Sequence, residues 1–291
     1  MAKTDTIWVD LLGIEYSQKF YDVDGVRTRV LEAGEGPPMI LLHGGGGHAE
    51  TWIRNFGPLG KIRKIYAIDM VGHGFTDAPE DLEYNTDDAI NHVVAFMDAL
   101  GIEKADISGE SFGGRVASWV ALRNPDRIDK LVLNTSGGLP ATDDKHQDDI
   151  EDLLARTKAS LENTSDEAVR SRIGWLFANP ELVPEEFVKV RQAIYRQPGI
   201  HNSLSKLFGH VFNPDSTKPW WLTPEVLAGM KAKTLVIWSD KNPIHSYEDA
   251  LNGFKHIPDV RFHLIKDAAH WPQYEQPDEY NEVQNAFLLE D

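Results

Sequence analysis

The sequence contains no cysteine. That excludes disulfides, thiolate nucleophiles and cysteine-based metal sites. No apolar run approaches the length that crosses a bilayer, and the opening MAKTDTIWVDLLG lacks the apolar core of a secretory leader. There is no basic tract either. The formal net charge is −17, with acidic residues spread along the chain, and such a surface repels nucleic acid and anionic lipid. These absences set the expectation of a cytoplasmic protein with no nucleic-acid partner and no membrane partner. What is present is 291 residues, 41% of them hydrophobic. That is enough for a large core, in one domain or in one domain carrying an insertion.

Short apolar runs alternate with helical patterns. MILL at 39–42, KIYAID at 64–69, KADIS at 104–108, KLVLN at 130–134, TLVIW at 234–238 and RFHLI at 261–265 read as strands. They are mostly continuous rather than alternating, as strands covered on both faces are. YSQKF and VRTRVLEA read as an antiparallel pair before them. DAINHVVAFMDALG at 88–101 puts its apolar residues on one helical stripe and stops at Gly101. The alternation predicts an α/β fold with a mainly parallel sheet. From about Pro140 to Leu227 it ceases, and the chain becomes charged and helical. The expected organisation is a core of residues 1–137 and 228–291, with a helical cap at 138–227 acting as a lid.

The stretch ISGESFGG at 107–114 surrounds Ser111 with glycines. Glycine two before and two after a serine allows a sharp strand-to-helix turn that lifts the hydroxyl above the sheet. A serine nucleophile needs a base and a group to orient it. His270, in the loop after RFHLI, is at a strand's carboxyl end on the same edge. Asp240, two residues beyond TLVIW, is the carboxylate expected to orient it. HGGGG at 43–47 offers backbone N–H groups for an oxyanion hole, those of Gly45 and Phe112 converging on the carbonyl that Ser111 would attack. No GK[ST] follows these glycines, so they are not a phosphate loop. His43 and His48 flank them, but glycines do not hold two imidazoles rigidly and no HExxH is present. No metal and no cofactor are expected.

LLHGGGGHAETW, AIDMVGHGFTDAP, the serine segment running on to KLVLNTSGG, and DAAHWPQYEQPDEYNEVQNAFL together resemble the α/β-hydrolase superfamily over nearly the whole chain. The nearest resemblance is to the meta-cleavage product hydrolases, which split carbon–carbon bonds in ring-fission products of aromatic catabolism. The resemblance implies an α/β-hydrolase fold and a small anionic substrate, a 2-hydroxy-6-oxo-dienoate. It implies Ser111 as nucleophile, His270 as base, and Arg191 in VRQAIYRQPG as the holder of the substrate carboxylate or dienol oxygen. Trp271, Gly46 and Glu110 match substrate-contacting positions. Glu110 stands where many relatives have asparagine. After TLVIW the family aspartate would fall at Lys241 or Asn242, so Asn242 is the alternative to Asp240 as the group that orients His270. The likeness also permits a homodimer. Ester or lactone hydrolysis by the same residues is the alternative reading of the machinery, and a non-catalytic role of the fold is a third.

Overall fold

Runs of Val, Ile and Leu form the central strands, because a strand covered on both faces buries every side chain. The computed structural model describes residues 6–140 and 144–290, with the side chains of 144–149 outside that description. The chain opens with the antiparallel pair β1 (Tyr16–Val23) and β2 (Val26–Ala33), turned at Asp24 and Gly25, both with positive φ. There follow β3 (Pro38–Leu42), α1 (Ile53–Leu59), β4 (Lys64–Ile68), α2 (Thr86–Ala99), β5 (Ala105–Glu110), α3 (Phe112–Arg123) and β6 (Ile128–Asn134). Every run read as a strand from the sequence is one.

The sheet has eight strands in the order β1-β2-β4-β3-β5-β6-β7-β8, where β7 is Lys233–Ser239 and β8 is Val260–Ile265. β2 pairs antiparallel with β4, and all pairings from β4 to β8 are parallel. Its centre is dry: Met39, Ile40, Leu41 and Leu42 of β3 are fully buried. The chain passes from β3 to β4 on one side and then returns to β5 on the other. That reversal opens a crevice at the carboxyl ends of β3 and β5, the place where open α/β sheets bind ligands.

Between β6 and β7 the described residues form helices and no strand: α4 (Asp144–Glu162), α5 (Asp166–Gly174), α6 (Glu185–Tyr195), α7 (Ile200–Val211), α8 (Pro214–Thr217) and α9 (Pro224–Leu227). This is the helical insertion expected from the sequence. Phe187, Val188 and Ile194 of α6 and Leu204, Leu207 and Phe208 of α7 bury its apolar faces. Polar bonds stitch it to the core: Ser203 Oγ donates to the Gly72 carbonyl at 2.8 Å, and Trp119 Nε1 to the Trp220 carbonyl at 3.0 Å. The chain closes with α10 (Tyr247–Phe254), β8, α11 (Pro272–Glu275) and α12 (Pro277–Leu289). Among the described residues no helix is long and apolar enough to cross a membrane.

Candidate active site

Four strand ends, those of β3, β5, β7 and β8, supply the site. Ser111 follows β5 directly and has φ 53° and ψ −118°, a left-handed conformation rare for a residue with a Cβ. Hydrogen bonds hold it there. Its N–H donates to the Asn134 carbonyl at 3.1 Å, and its own carbonyl accepts from Gly137 at 2.8 Å and Gly114 at 3.0 Å. The glycines are required by space. A Cβ on Gly109 would lie 2.2 Å from the Gly113 carbonyl oxygen, and one on Gly113 would lie 2.5 Å from the Leu42 and His43 oxygens. β3, β5 and the start of α3 therefore approach one another more closely than any side chain allows.

The glycine loop after β3 is fastened by buried polar groups. His43 is one of them: its Nδ1 lies 2.7 Å from the Gly44 carbonyl, and its Nε2 accepts from the Met70 N–H at 3.0 Å. Both ring nitrogens are thus engaged in joining the β3 loop to the β4 loop. Asp69 accepts from Ala49 N–H at 2.7 Å and Phe75 N–H at 2.9 Å, and pairs with buried Arg29 at 3.0 Å. Gly45 and Phe112 line the cavity beside Ser111. The Phe112 N–H opens α3 and so has no partner within the helix. Both positions, expected from the sequence to carry the oxyanion donors, border that serine.

His270 lies between β8 and α11 and is buried. Its N–H donates to the Leu176 carbonyl of the insertion at 2.9 Å, and its carbonyl accepts from Thr135 Oγ1 at 2.8 Å. Its ring does not meet Asp240. Asp240 is exposed, and its backbone N–H continues the sheet by donating to the Ile265 carbonyl at 3.1 Å. The expectation for Asp240 is therefore corrected: β7 and its pairing with the β8 end persist past Ser239, and the loop turns toward His270 only two residues later. There Asn242 Oδ1 lies 2.7 Å from His270 Nδ1, while Asn242 Nδ2 donates to the His245 carbonyl at 2.9 Å. The second bond fixes the amide's orientation. Oδ1 must accept, so His270 carries its proton on Nδ1 and turns an unprotonated Nε2 toward the cavity.

Glu110, immediately before Ser111, faces that nitrogen. Its Oε1 lies 3.3 Å from His270 Nε2, and its Oε2 accepts the Gly44 N–H at 2.6 Å. Burial pushes the Glu110 carboxyl up to about 8, against the opposing pull of the Gly44 N–H, Arg172 and Arg191. Burial, with Arg172 and His245 adding to it, takes the His270 imidazole down to about 3. A neutral imidazole and a protonated carboxyl follow, so the 3.3 Å approach brings together two uncharged groups rather than an ion pair. This agrees with the tautomer set by Asn242.

The remaining expected residues also line the cavity or border it. Arg191 of α6 is buried, and one of its terminal nitrogens lies 3.8 Å from where a side chain on Gly46 would begin. Trp271 is buried between Phe177 and Phe187, at ring distances of 5.5 and 5.7 Å. Two cationic lining residues were missed: Arg172 of α5 and Arg115 of α3, both buried. In the sequence Arg172 sits among other charges on a helix and reads as solvated, and Arg115 is the one charge in the first turns of the helix that follows the serine. The one available signal was for Arg115, which lies one helical turn after Ser111.

A family profile for the alpha/beta hydrolase fold matches residues 37–277. The chain is 32% identical to the 2-hydroxy-6-oxo-6-phenylhexa-2,4-dienoate hydrolase of Comamonas testosteroni, over 88% of this chain and 89% of that one. It is 29% identical to the 2-hydroxymuconate semialdehyde hydrolase of Pseudomonas sp. strain CF600, over 91% and 92%. Among solved structures, a meta-cleavage product hydrolase from Pseudomonas fluorescens IP01 superposes with a TM-score of 0.79 at 30% identity, covering 94% of this chain and 97% of that one. With the strained serine, the glycine loop and the histidine all at carboxyl ends of strands of one sheet, these likenesses agree: the chain belongs to the α/β-hydrolase family and, within it, to the group of the meta-cleavage product hydrolases.

Proposed function

We propose that this protein hydrolyses a carbon–carbon bond in a 2-hydroxy-6-oxo-dienoate, with Ser111 as nucleophile. The observation that carries this reading over ester hydrolysis is Arg191, a buried guanidinium on the cavity wall with no ion-pair partner among the described residues. A neutral ester offers such a cation no counter-charge, whereas a carboxylate meets it with two charge-assisted hydrogen bonds.

The substrate's carboxylate binds at Arg191 beneath the helical insertion, which serves as the lid. The dienol first becomes its keto tautomer: Glu110, protonated at neutral pH, supplies a proton to C5 and recovers one from the 2-hydroxyl. Ser111 Oγ then attacks C6 as His270 Nε2 takes its proton. Asn242 keeps Nδ1–H in place without adding a negative charge. The new oxyanion lies at the Gly45 and Phe112 N–H groups. The C5–C6 bond breaks, and its electron pair passes through C4=C3 to the 2-oxo oxygen, which is protonated to give a 2-hydroxydienoate. Water, deprotonated by His270, releases the carboxylic acid from Ser111.

The test is single-turnover kinetics on a ring-fission dienoate, with both products identified. Ser111→Ala should retain the tautomerisation and lose cleavage by about 10³-fold or more. A folded Ser111→Ala protein that cleaves at the original rate would remove the nucleophile assignment. A wild-type protein that turns over neutral aryl esters but no dienoate would favour the esterase reading.

A further inference from the structure

The cavity holds more positive charge than one carboxylate can satisfy. Arg115, Arg172 and Arg191 all line it and are all buried. Each keeps a buried nitrogen without a hydrogen-bond partner among the described residues: Nε of Arg115, Nε of Arg191 and one terminal nitrogen of Arg172. None of the three forms an ion pair among those residues. Burial lowers Arg115 and Arg172 to about 10, so both remain charged at neutral pH. A buried cation without a counter-ion is costly, and in a binding cavity the ligand is the natural source of one.

The three cations are not equivalent. Arg172 faces Glu110, the cavity's own acid, and donates through Nε to Thr157 Oγ1 at 2.8 Å. Arg191 lies beside the glycine loop that follows β3. Arg115 lies on the opposite side: its Cγ is 3.4 Å from where a side chain on Gly138 would begin, in the segment leaving β6. In the sheet, β5 lies between β3 and β6. Arg191 thus borders the loop that follows β3 and Arg115 the segment that follows β6, on either side of β5 and the Ser111 that ends it. Among the described residues no carboxyl attracts Arg115, and its one polar partner there is Thr217 Oγ1, 2.7 Å from a terminal nitrogen.

We infer that Arg115 anchors a second anionic subsite, on the β6 side of Ser111, and that the substrate is a dicarboxylate whose acyl portion ends in a carboxylate. The inference rests on the carbon–carbon hydrolase reading for which end of the substrate goes where. With its first carboxylate at Arg191 and its scissile carbonyl at Ser111, the acyl tail points toward Arg115. The competing view is that Arg115 merely latches α3 to α8 through Thr217.

Two ring-fission substrates that differ only in the tail decide between these, one ending in a carboxylate and one in a methyl group at equal length. The wild-type kcat/KM should favour the dicarboxylate by at least about tenfold. In Arg115→Gln that ratio should fall toward one, and Arg115→Lys should keep most of it. A wild-type ratio near one, or a ratio unchanged in Arg115→Gln, overturns the proposal; a latch alone would depress both substrates together. Thermal stabilisation by pimelate and by heptanoate provides a readout independent of turnover. If neither dienoate is cleaved, the carbon–carbon reading fails. The subsite still stands if pimelate stabilises the wild type more than heptanoate does and this difference disappears in Arg115→Gln. Equal stabilisation by the two acids overturns it.

Discussion

At the scale of single residues, the site has exchanged the usual places of an amide and an acid. The group on His270 Nδ1 is Asn242, and the carboxyl stands at Glu110, on the Nε2 side. The groups facing that carboxyl are His270, Arg172, Arg191, the Gly44 N–H and the Trp271 side chain, with Tyr280 further back. Below about pH 8 it is protonated and can donate; above that value it becomes an anion near the place of the substrate's own carboxylate. Turnover of a dienoate is therefore expected to fall as pH rises through about 8. Glu110→Gln can still accept from the Gly44 N–H but cannot give up a proton. It should lose about 10²-fold in rate, in the range for a general acid, and lose the alkaline limb with it. A limb that survives in Glu110→Gln would assign the titration to another group. Sequence alone located Ser111 and His270, because each follows a strand of obvious apolar character. It misplaced the orienting group, because the choice between Asp240 and Asn242 depends on where a strand lets go of its neighbour. Composition does not record that point. Arg115 and Arg172 were hidden for a related reason: burial of a cation is a property of what the insertion covers.

At the scale of elements, the close approach of β3, β5 and α3 makes a sharp prediction. Gly113→Ala would press a methyl group against the Leu42 and His43 carbonyl oxygens. It should destabilise the protein by roughly 1–3 kcal/mol, as overpacking does. Gly209, in α7, is exposed and has nothing within 4 Å of where its Cβ would be. Gly209→Ala should stabilise by about 0.5–1 kcal/mol through helix propensity alone. Urea denaturation of both variants checks the pair, and a Gly113→Ala protein as stable as the wild type would mean that the turn can relax. The strands themselves were legible because parallel strands buried on both faces write themselves as unbroken Val, Ile and Leu. The insertion was legible as the place where that writing stops. The order of strands, and with it the crevice between β3 and β5, came from the rules of right-handed α/β connection rather than from any residue.

At the scale of the whole molecule, buried titratable groups set the response to acid. His43, His73, His92 and His270 are each lowered to about 3 by burial. Between that value and the ordinary 6.5, the unfolded chain binds protons at these residues that the folded chain does not, so stability falls as pH falls. Glu110, raised to about 8, and Glu275, raised to about 7, act in the opposite sense, as does Asp106. Their contribution is complete below the unfolded carboxyl range and is lost as pH rises through the folded values. The four histidines outnumber the three carboxyls. Stability should therefore peak near pH 6.5 and decline toward pH 5 by on the order of 1 kcal/mol per pH unit, with a gentler decline toward pH 8. Melting temperatures across this range test it, and a midpoint that rises from pH 6.5 to pH 5 would contradict it. The join between the insertion and the core carries a consequence of its own. The His270 N–H that ends on the Leu176 carbonyl cannot exchange with solvent while the two remain together. Deuterium uptake at that one amide is a clock for the parting of insertion and core, and each tick also frees His270 from this tether. On the proposed reading of His270 as base, such a site is armed only while insertion and core stay joined, so water entering with the substrate meets a histidine that is not yet aimed.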